Sequence, residues 1–221
     1  TVKKRNIAKL LLIYLNINLI NDHVVDRFFL PLKKLNIIND NKGLDYFIPS
    51  NIDVDFNVNS GFISWSLGAS YIQKSLSSSQ IIEVCNQVNL PFVLLGGKDK
   101  KMMGDLIVKK SINKSIYNFC GNLSLDQSAY LIKKSKFVLT NDTGLMHIAS
   151  AMNKPIISFW GCTKPILGFR PYMAHIKNIE IVMNPLRPPC SKHGSYCRIN
   201  QIGCVKKINP DIIKKEIANF L

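Results

Sequence analysis

Two short constellations carry residue types that can do chemistry together. The first is Asp142-Thr143-Gly144 with His147 three positions on, lying between the apolar run that starts at Phe137 and the one that follows Pro155. An apolar run, a polar turn and then Leu145, Ile148, Ala149 and Met152 at helical spacing read as strand, tight turn, helix and strand. Such a turn delivers a helix N-terminus, where unpaired backbone N–H groups and the helix dipole favour an anion, a phosphate above all. Asp142 is placed as the N-cap, Thr143 offers a hydroxyl and an N–H, and Gly144 lets a ligand come close to the backbone. His147, one turn in, is expected to face the same ligand. The second constellation is Gly68-Ala69-Ser70 with Lys74 four residues on. Small residues let a phosphate approach the chain, and the lysine can return with a point charge. Either alone would be an ordinary helix cap or a solvated lysine; the pair, each at the end of an apolar run, points to a phosphate-bearing ligand.

The elements around these residues alternate. Strands are expected at Phe62–Leu67, Phe92–Leu95, Ile116–Cys120 and on either side of the Asp-Thr-Gly turn. Helices are expected at Ser77–Val88, around Met102–Val108, and at Leu125–Lys134 with Ser124 as its cap. Strands alternating with helices imply an α/β fold: a Rossmann-like parallel sheet with helices on both faces. Right-handed crossovers put the turns at Gly68, Gly96, Gly121, Asp142 and Gly161 on one edge of that sheet. Upstream, residues 3–15 read as a helix with a basic start rather than a signal peptide, since no small-residue cleavage site follows. That helix could lie on a membrane surface, but packing on its own domain is the expected fate. Residues 22–36 form a second helical pattern that Pro31 is expected to break or kink, and the polar stretch 39–60 reads as a linker or domain boundary.

Composition bounds the rest. The chain has 221 residues, 47% of them hydrophobic, and a formal net charge of +15. Its lysines are scattered without aromatic interleaving, so a nucleic-acid partner is not expected. No uninterrupted apolar run is long enough for a membrane-spanning helix. Cys85, Cys120 and Cys162 fall at buried helix or strand ends, which fits a reducing, cytoplasmic setting. Cys190-x-x-His193-x-x-x-Cys197 with Cys204 offers possible zinc ligands, but at looser spacing than paired Cys-x-x-Cys knuckles. The expectation is a cysteine-bearing loop packed before the last helix, with room for one disulfide and no metal. Asp53-Val54-Asp55 matches the D-x-D pattern of metal-dependent sugar transferases and reads here as a surface loop.

Asp142-Thr143-Gly144-x-x-His147, followed by Ala149, Ala151, Pro155 and Gly161-x-Thr163, resembles the signature of glycosyltransferase family 9, the heptosyltransferases of lipopolysaccharide core assembly and their relatives. Gly68-Ala69-Ser70 and Lys74 match the other half of that signature, and the resemblance runs over about residues 20–221. It implies the GT-B architecture of two Rossmann-like lobes, with this chain carrying the C-terminal, donor-binding lobe (61–221). Residues 1–60 would be helical remnants of the N-terminal lobe and the linker. Much of that first lobe has no match here, and the chain starts at Thr1, so a fragment of a longer protein is expected. The resemblance places Ser70 and Lys74 on the donor phosphates, and Asp142, Thr143, Gly144 and His147 on the diphosphate and sugar. Leu123 falls where the family has a hydrophobic residue near the base, and Ala69 and Gly97 are further expected donor-site residues. The implied donor is a nucleoside-diphosphate sugar such as ADP-heptose. The implied acceptor is a lipopolysaccharide-type glycan at the inner membrane surface, transfer is inverting, and no metal cofactor is needed. The catalytic base is expected in the missing lobe. The loop after Gly96-Gly97 holds Lys98, Asp99, Lys100 and Lys101 where the family has an acidic residue, and Gly161-Cys162-Thr163 replaces its usual Gly-Pro-Thr. Two other readings stand beside transfer: a non-catalytic nucleotide-sugar binding module, and a basic nucleic-acid-binding protein.

Overall fold

A computed structural model describes residues 5–56, 61–173 and 175–221. Lys3 and Lys4, the basic start expected for the first helix, and the end of the 39–60 stretch lie outside them.

The strands are β1 (Ile63–Ser66), β2 (Phe92–Leu95), β3 (Ile116–Asn118), β4 (Val138–Asn141), β5 (Ile156–Trp160) and β6 (Asn178–Val182). They form one six-stranded sheet in the order β3-β2-β1-β4-β5-β6, every pair parallel. The central strands are buried on both faces, as parallel strands covered by helices must be.

Alternation along the strands divides the interior into two cores. Ile63, Trp65, Phe92, Leu94, Leu139 and Ile157 face one way. They meet Ile81 and Val84 of α3 (Ser78–Gln87), Ile107 of α4 (Lys101–Lys110), and Ile213 and Ile217 of α7 (Pro210–Ala218). Val93, Leu95, Val138 and Ile156 face the other way, onto Ala129 and Ile132 of α5 (Leu125–Lys134) and Ile148 and Ala149 of α6 (Gly144–Ala151). Ser77 and Ser124 start α3 and α5 with full capping boxes, closed by Gln80 and Gln127.

Three sequence expectations need correction. The 39–60 stretch has no helix or strand among its described residues, yet it is not a loose linker. Tyr46, Ile48, Val54 and Phe56 pack on the second core, and the Tyr46 hydroxyl donates to Asp126 at 2.6 Å. Apolar residues spread among Asn and Asp concealed that packing. Pro31 does not break α2 (Val24–Leu32); it sits in the last turn, and the chain tightens into a 3-10 turn at Lys33–Leu35. The strand β6 was not expected at all. As an edge strand it buries only Ile181 fully, so the apolar periodicity that betrays a strand is weak there.

The first two helices lie against the sheet domain. Ala8 and Leu12 of α1 (Asn6–Leu15) cluster with Leu167, and the Val24 N–H donates to the Gly168 carbonyl at 2.9 Å. Apolar side chains on their other faces are open: Ile7 and Leu15 of α1 and Phe28 of α2 are each more than half exposed. Among the described residues, no helix is long and apolar enough to cross a membrane.

Candidate functional site

The strand order reverses between β1 and β4: the chain steps outward from β1 to β3 on one side, then returns to place β4 on the other. At such a switch point the two strand-exit turns diverge and leave a crevice. Here those turns are the two constellations, Gly68-Ala69-Ser70 after β1 and Asp142-Thr143-Gly144 after β4.

The crevice is a cavity of about 460 Å³. Ala69, Ser70, Gly97, Leu123, Thr143 and Gly144 all line it, together with Gly68, Gly96, Ser124, Leu125, Leu145 and Ile148. Its lining combines apolar side chains (Leu123, Leu125, Leu145, Ile148) with the start of α6. Thr143 is the N-cap there, its hydroxyl accepting from the Met146 N–H at 3.3 Å. Gly144 and Leu145 open the helix, at positions whose N–H groups a helix start leaves without intrahelical partners. A methyl group added at Gly144 or Gly68 would meet no protein atom within 4 Å. Neither glycine is needed for packing, so the space beside each is open to an incoming molecule.

Lys74 and Asp142 lie next door. A second cavity of about 310 Å³ is lined by Ser70, Tyr71, Lys74, Asp142, Thr163, Phe169, Lys192 and His193. Lys74 Nζ and Asp142 Oδ2 form an ion pair at 2.7 Å, both side chains almost fully buried. Asp142 is therefore not the helix cap expected of it; it also accepts from the Thr163 hydroxyl at 3.0 Å. The turn is one residue later than the Asp-Thr-Gly spacing suggested, because Thr143 takes the extended conformation of a cap. The Lys74 stem is held by Gly194, whose φ of +82° and lack of Cβ leave just enough room for it.

His147 lines neither cavity. Leu145 and Ile148, three residues apart, share the crevice face of α6, and His147 between them points elsewhere. Burial depresses its pKa, with Asp142 and Lys74 exerting smaller, opposed effects, so it is neutral near pH 7. Gly161 is also closed off, packed against Val205 and Cys204.

Sequence reasoning missed the cationic character of the second cavity. Lys192 and His193 come from the cysteine-bearing loop, and His193 is a cavity wall rather than a metal ligand. Lys9 of α1 stands close, its ammonium 4.4 Å from the centre of the Phe169 ring. Burial, with Arg27 and Lys192 nearby, lowers its pKa to about 8. His193 is likewise depressed, by burial first and then by Lys9, Lys74 and Lys192. Nothing in the local sequence of Lys9 signals this, since helix α1 and the 192–194 loop meet only in the folded chain. Asp53 and Asp55 are exposed, as expected for a surface loop.

A parallel Rossmann-type sheet with a helix start opening onto a crevice at its switch point, and a cationic cavity beside it, defines the class of α/β lobe. The sequence profile of glycosyltransferase family 9 (heptosyltransferase) matches residues 40–197, and the chain belongs to that family. Lipopolysaccharide heptosyltransferase 2 of Escherichia coli K12 is 33% identical over 101 residues, which cover 44% of this chain and 27% of the relative. The solved structure of E. coli ADP-heptose lipopolysaccharide heptosyltransferase II superposes with a TM-score of 0.60 at 24% identity, over 75% of this chain and 48% of that one. A family 9 glycosyl transferase from Veillonella parvula gives a TM-score of 0.74 at 18% identity, over 90% of this chain and 60% of that one. The match thus takes in less than two thirds of each relative's own length.

Proposed function

We propose that this chain is the donor-binding part of a family 9 glycosyltransferase that moves a sugar from a nucleoside diphosphate to a lipopolysaccharide-type acceptor. The observation that carries the reading is the crevice at the β1/β4 switch point, where apolar side chains and a helix start line one cavity. The base would lie among Leu123, Leu125 and Ile148. The diphosphate would lie across Thr143 and Gly144 of α6 and reach Ser70, which lines both cavities. Lys74, with Lys192 and His193 around it, would meet the charge that grows on the diphosphate as the sugar leaves. Asp142 would hold Lys74 in place rather than touch the phosphates itself. The name of the E. coli structural neighbour carries ADP-heptose, which supports an ADP-sugar as the donor to try first.

Transfer also needs a base for the acceptor hydroxyl. Among the residues lining the two cavities the sole carboxylate is Asp142, and it is committed to Lys74 and Thr163. The catalytic base would then come from a further lobe. Residues 1–60 would be the end of that lobe and its connection, and 61–221 the donor lobe. The open apolar side chains of α1 and α2 support this, since exposed patches of that kind mark surfaces that pack against something else.

Calorimetry of the chain with ADP, UDP and GDP tests the reading. ADP is expected to bind, and Thr143→Ala is expected to weaken it. If no nucleoside diphosphate binds, the donor-site assignment is wrong.

A further inference from the structure

Outside the crevice, the sulfurs of Cys162, Cys190, Cys197 and Cys204 all lie within 4.8 Å of one another. None of the four is in a disulfide, so the single disulfide for which the sequence left room does not form. Their spacing is informative. Cys162 and Cys204 are 3.7 Å apart at Sγ, and Cys190 and Cys197 are 3.9 Å apart. A disulfide needs about 2.05 Å. Four thiolates around one ion at the usual metal–sulfur distance of about 2.3 Å form a tetrahedron with edges of about 3.8 Å. These two edges match that figure and are far from a covalent bond.

From this geometry we propose that Cys162, Cys190, Cys197 and Cys204 bind a single tetrahedral transition-metal ion, zinc(II) or iron(II). Four thiolates are the donor set that both metals accept in this shape. All four positions come from protein, and Cys162, Cys190 and Cys204 are buried, which makes the site closed and structural rather than catalytic. The surroundings suit thiolates. The Asn200 N–H donates to Cys197 Sγ at 3.4 Å, the backbone-to-sulfur bond that supports metal-bound cysteines. A divalent ion with four thiolates carries a net charge of −2, and Lys164 and Lys206 lie within electrostatic reach of the sulfurs to offset it.

The ion would fasten the 190–204 loop to the exit of β5. The Cys190 N–H already donates to the Cys162 carbonyl at 2.8 Å. The same loop sets Gly194 against Lys74 and Gly203 against the Gln73 backbone, so a metal here fixes the wall behind the cationic cavity. The donor-site reading is not needed for the metal site, which stands on the cysteines alone.

Metal analysis of the whole chain, produced in medium supplemented with zinc and iron and purified without chelators or nickel resin, is the test. About one ion per chain is expected, and elemental analysis says which metal it is. Reconstitution with cobalt(II) should give the intense sulfur-to-metal charge-transfer bands and visible bands of a tetrahedral thiolate site. Cys162→Ser and Cys197→Ser should each lower the metal content by at least about tenfold, whereas His193→Ala should keep it, because His193 is not a ligand here. Wild-type protein that carries no stoichiometric metal and yields no cobalt spectrum would overturn the proposal. So would metal that survives Cys162→Ser but is lost in His193→Ala. The wild-type measurements decide the matter even if a cysteine variant fails to fold.

Discussion

Thr143 serves two purposes with neighbouring atoms: its hydroxyl caps α6, and the helix start it organises faces the crevice. Thr143→Ala should therefore cost about 1 kcal/mol of stability, the usual worth of a cap, and also weaken ADP binding; Thr143→Ser should restore the stability. Gly144→Ala separates the two effects. The added methyl meets no protein atom, so the thermal midpoint should hold or rise, while ADP affinity drops by about tenfold or more (about 1.4 kcal/mol) in calorimetry. An unchanged affinity would mean that no ligand approaches α6 there. Lys9 gives a pH signature. Its folded pKa of about 8 lies below the ordinary lysine value of 10.5, so between these values the unfolded chain holds more protons and this group makes stability rise with pH. Replacing it by methionine removes that term. The stability of Lys9→Met relative to wild type should be greatest below pH 8 and decline towards pH 10.5 in denaturant titrations.

At the scale of elements, the segment before β1 and the loop before α7 matter most. Phe56 is half-buried, with its ring edge-on to Phe62, Tyr117 and Phe119 at centroid distances of 5.4, 4.9 and 5.2 Å. Phe56→Ala should cost about 2 kcal/mol in equilibrium unfolding, below the ~3–5 of a fully buried phenylalanine. A true linker would tolerate the change. Gly194→Ala tests the loop: a Cβ would lie 2.3 Å from Lys74 Cδ at a left-handed φ, so it should displace Lys74 and lower both stability and ADP affinity. The β–α alternation from β1 to β5 was legible because buried strands and capped helices each announce themselves locally, as Ser77 and Ser124 do. Edge strand β6 and the packed 39–56 segment were not, because their stability comes from what they rest against. His147 shows the same limit within one helix. Its spacing from Gly144 allowed either face, and only the burial of α6 against the sheet decided that Leu145 and Ile148 take the crevice side.

For the whole molecule, ADP at a hundredfold excess over its dissociation constant should stabilise the chain by about 2.7 kcal/mol if it binds only the folded state. At this size that raises the thermal midpoint by roughly 5–10 °C. The formal charge of +15 does not form a single stripe. Part of it converges as Lys74, Lys192 and Lys9 around one cavity that His193 also lines, a focus suited to a small polyanion. By itself the sequence determined the parallel α/β class, the two strand-exit turns and six of the residues that line the crevice (Ala69, Ser70, Gly97, Leu123, Thr143 and Gly144), because these follow from local periodicity, glycine placement and capping. Only the tertiary structure decided the strand order, and with it which turns flank the switch point. It paired Lys74 with Asp142, brought the 192–194 loop to the second cavity, and carried Cys162 from the end of β5 to join Cys190, Cys197 and Cys204. Each of these joins residues far apart along the chain, and such contacts depend on how the sheet and its loops pack, which no local pattern of residues records.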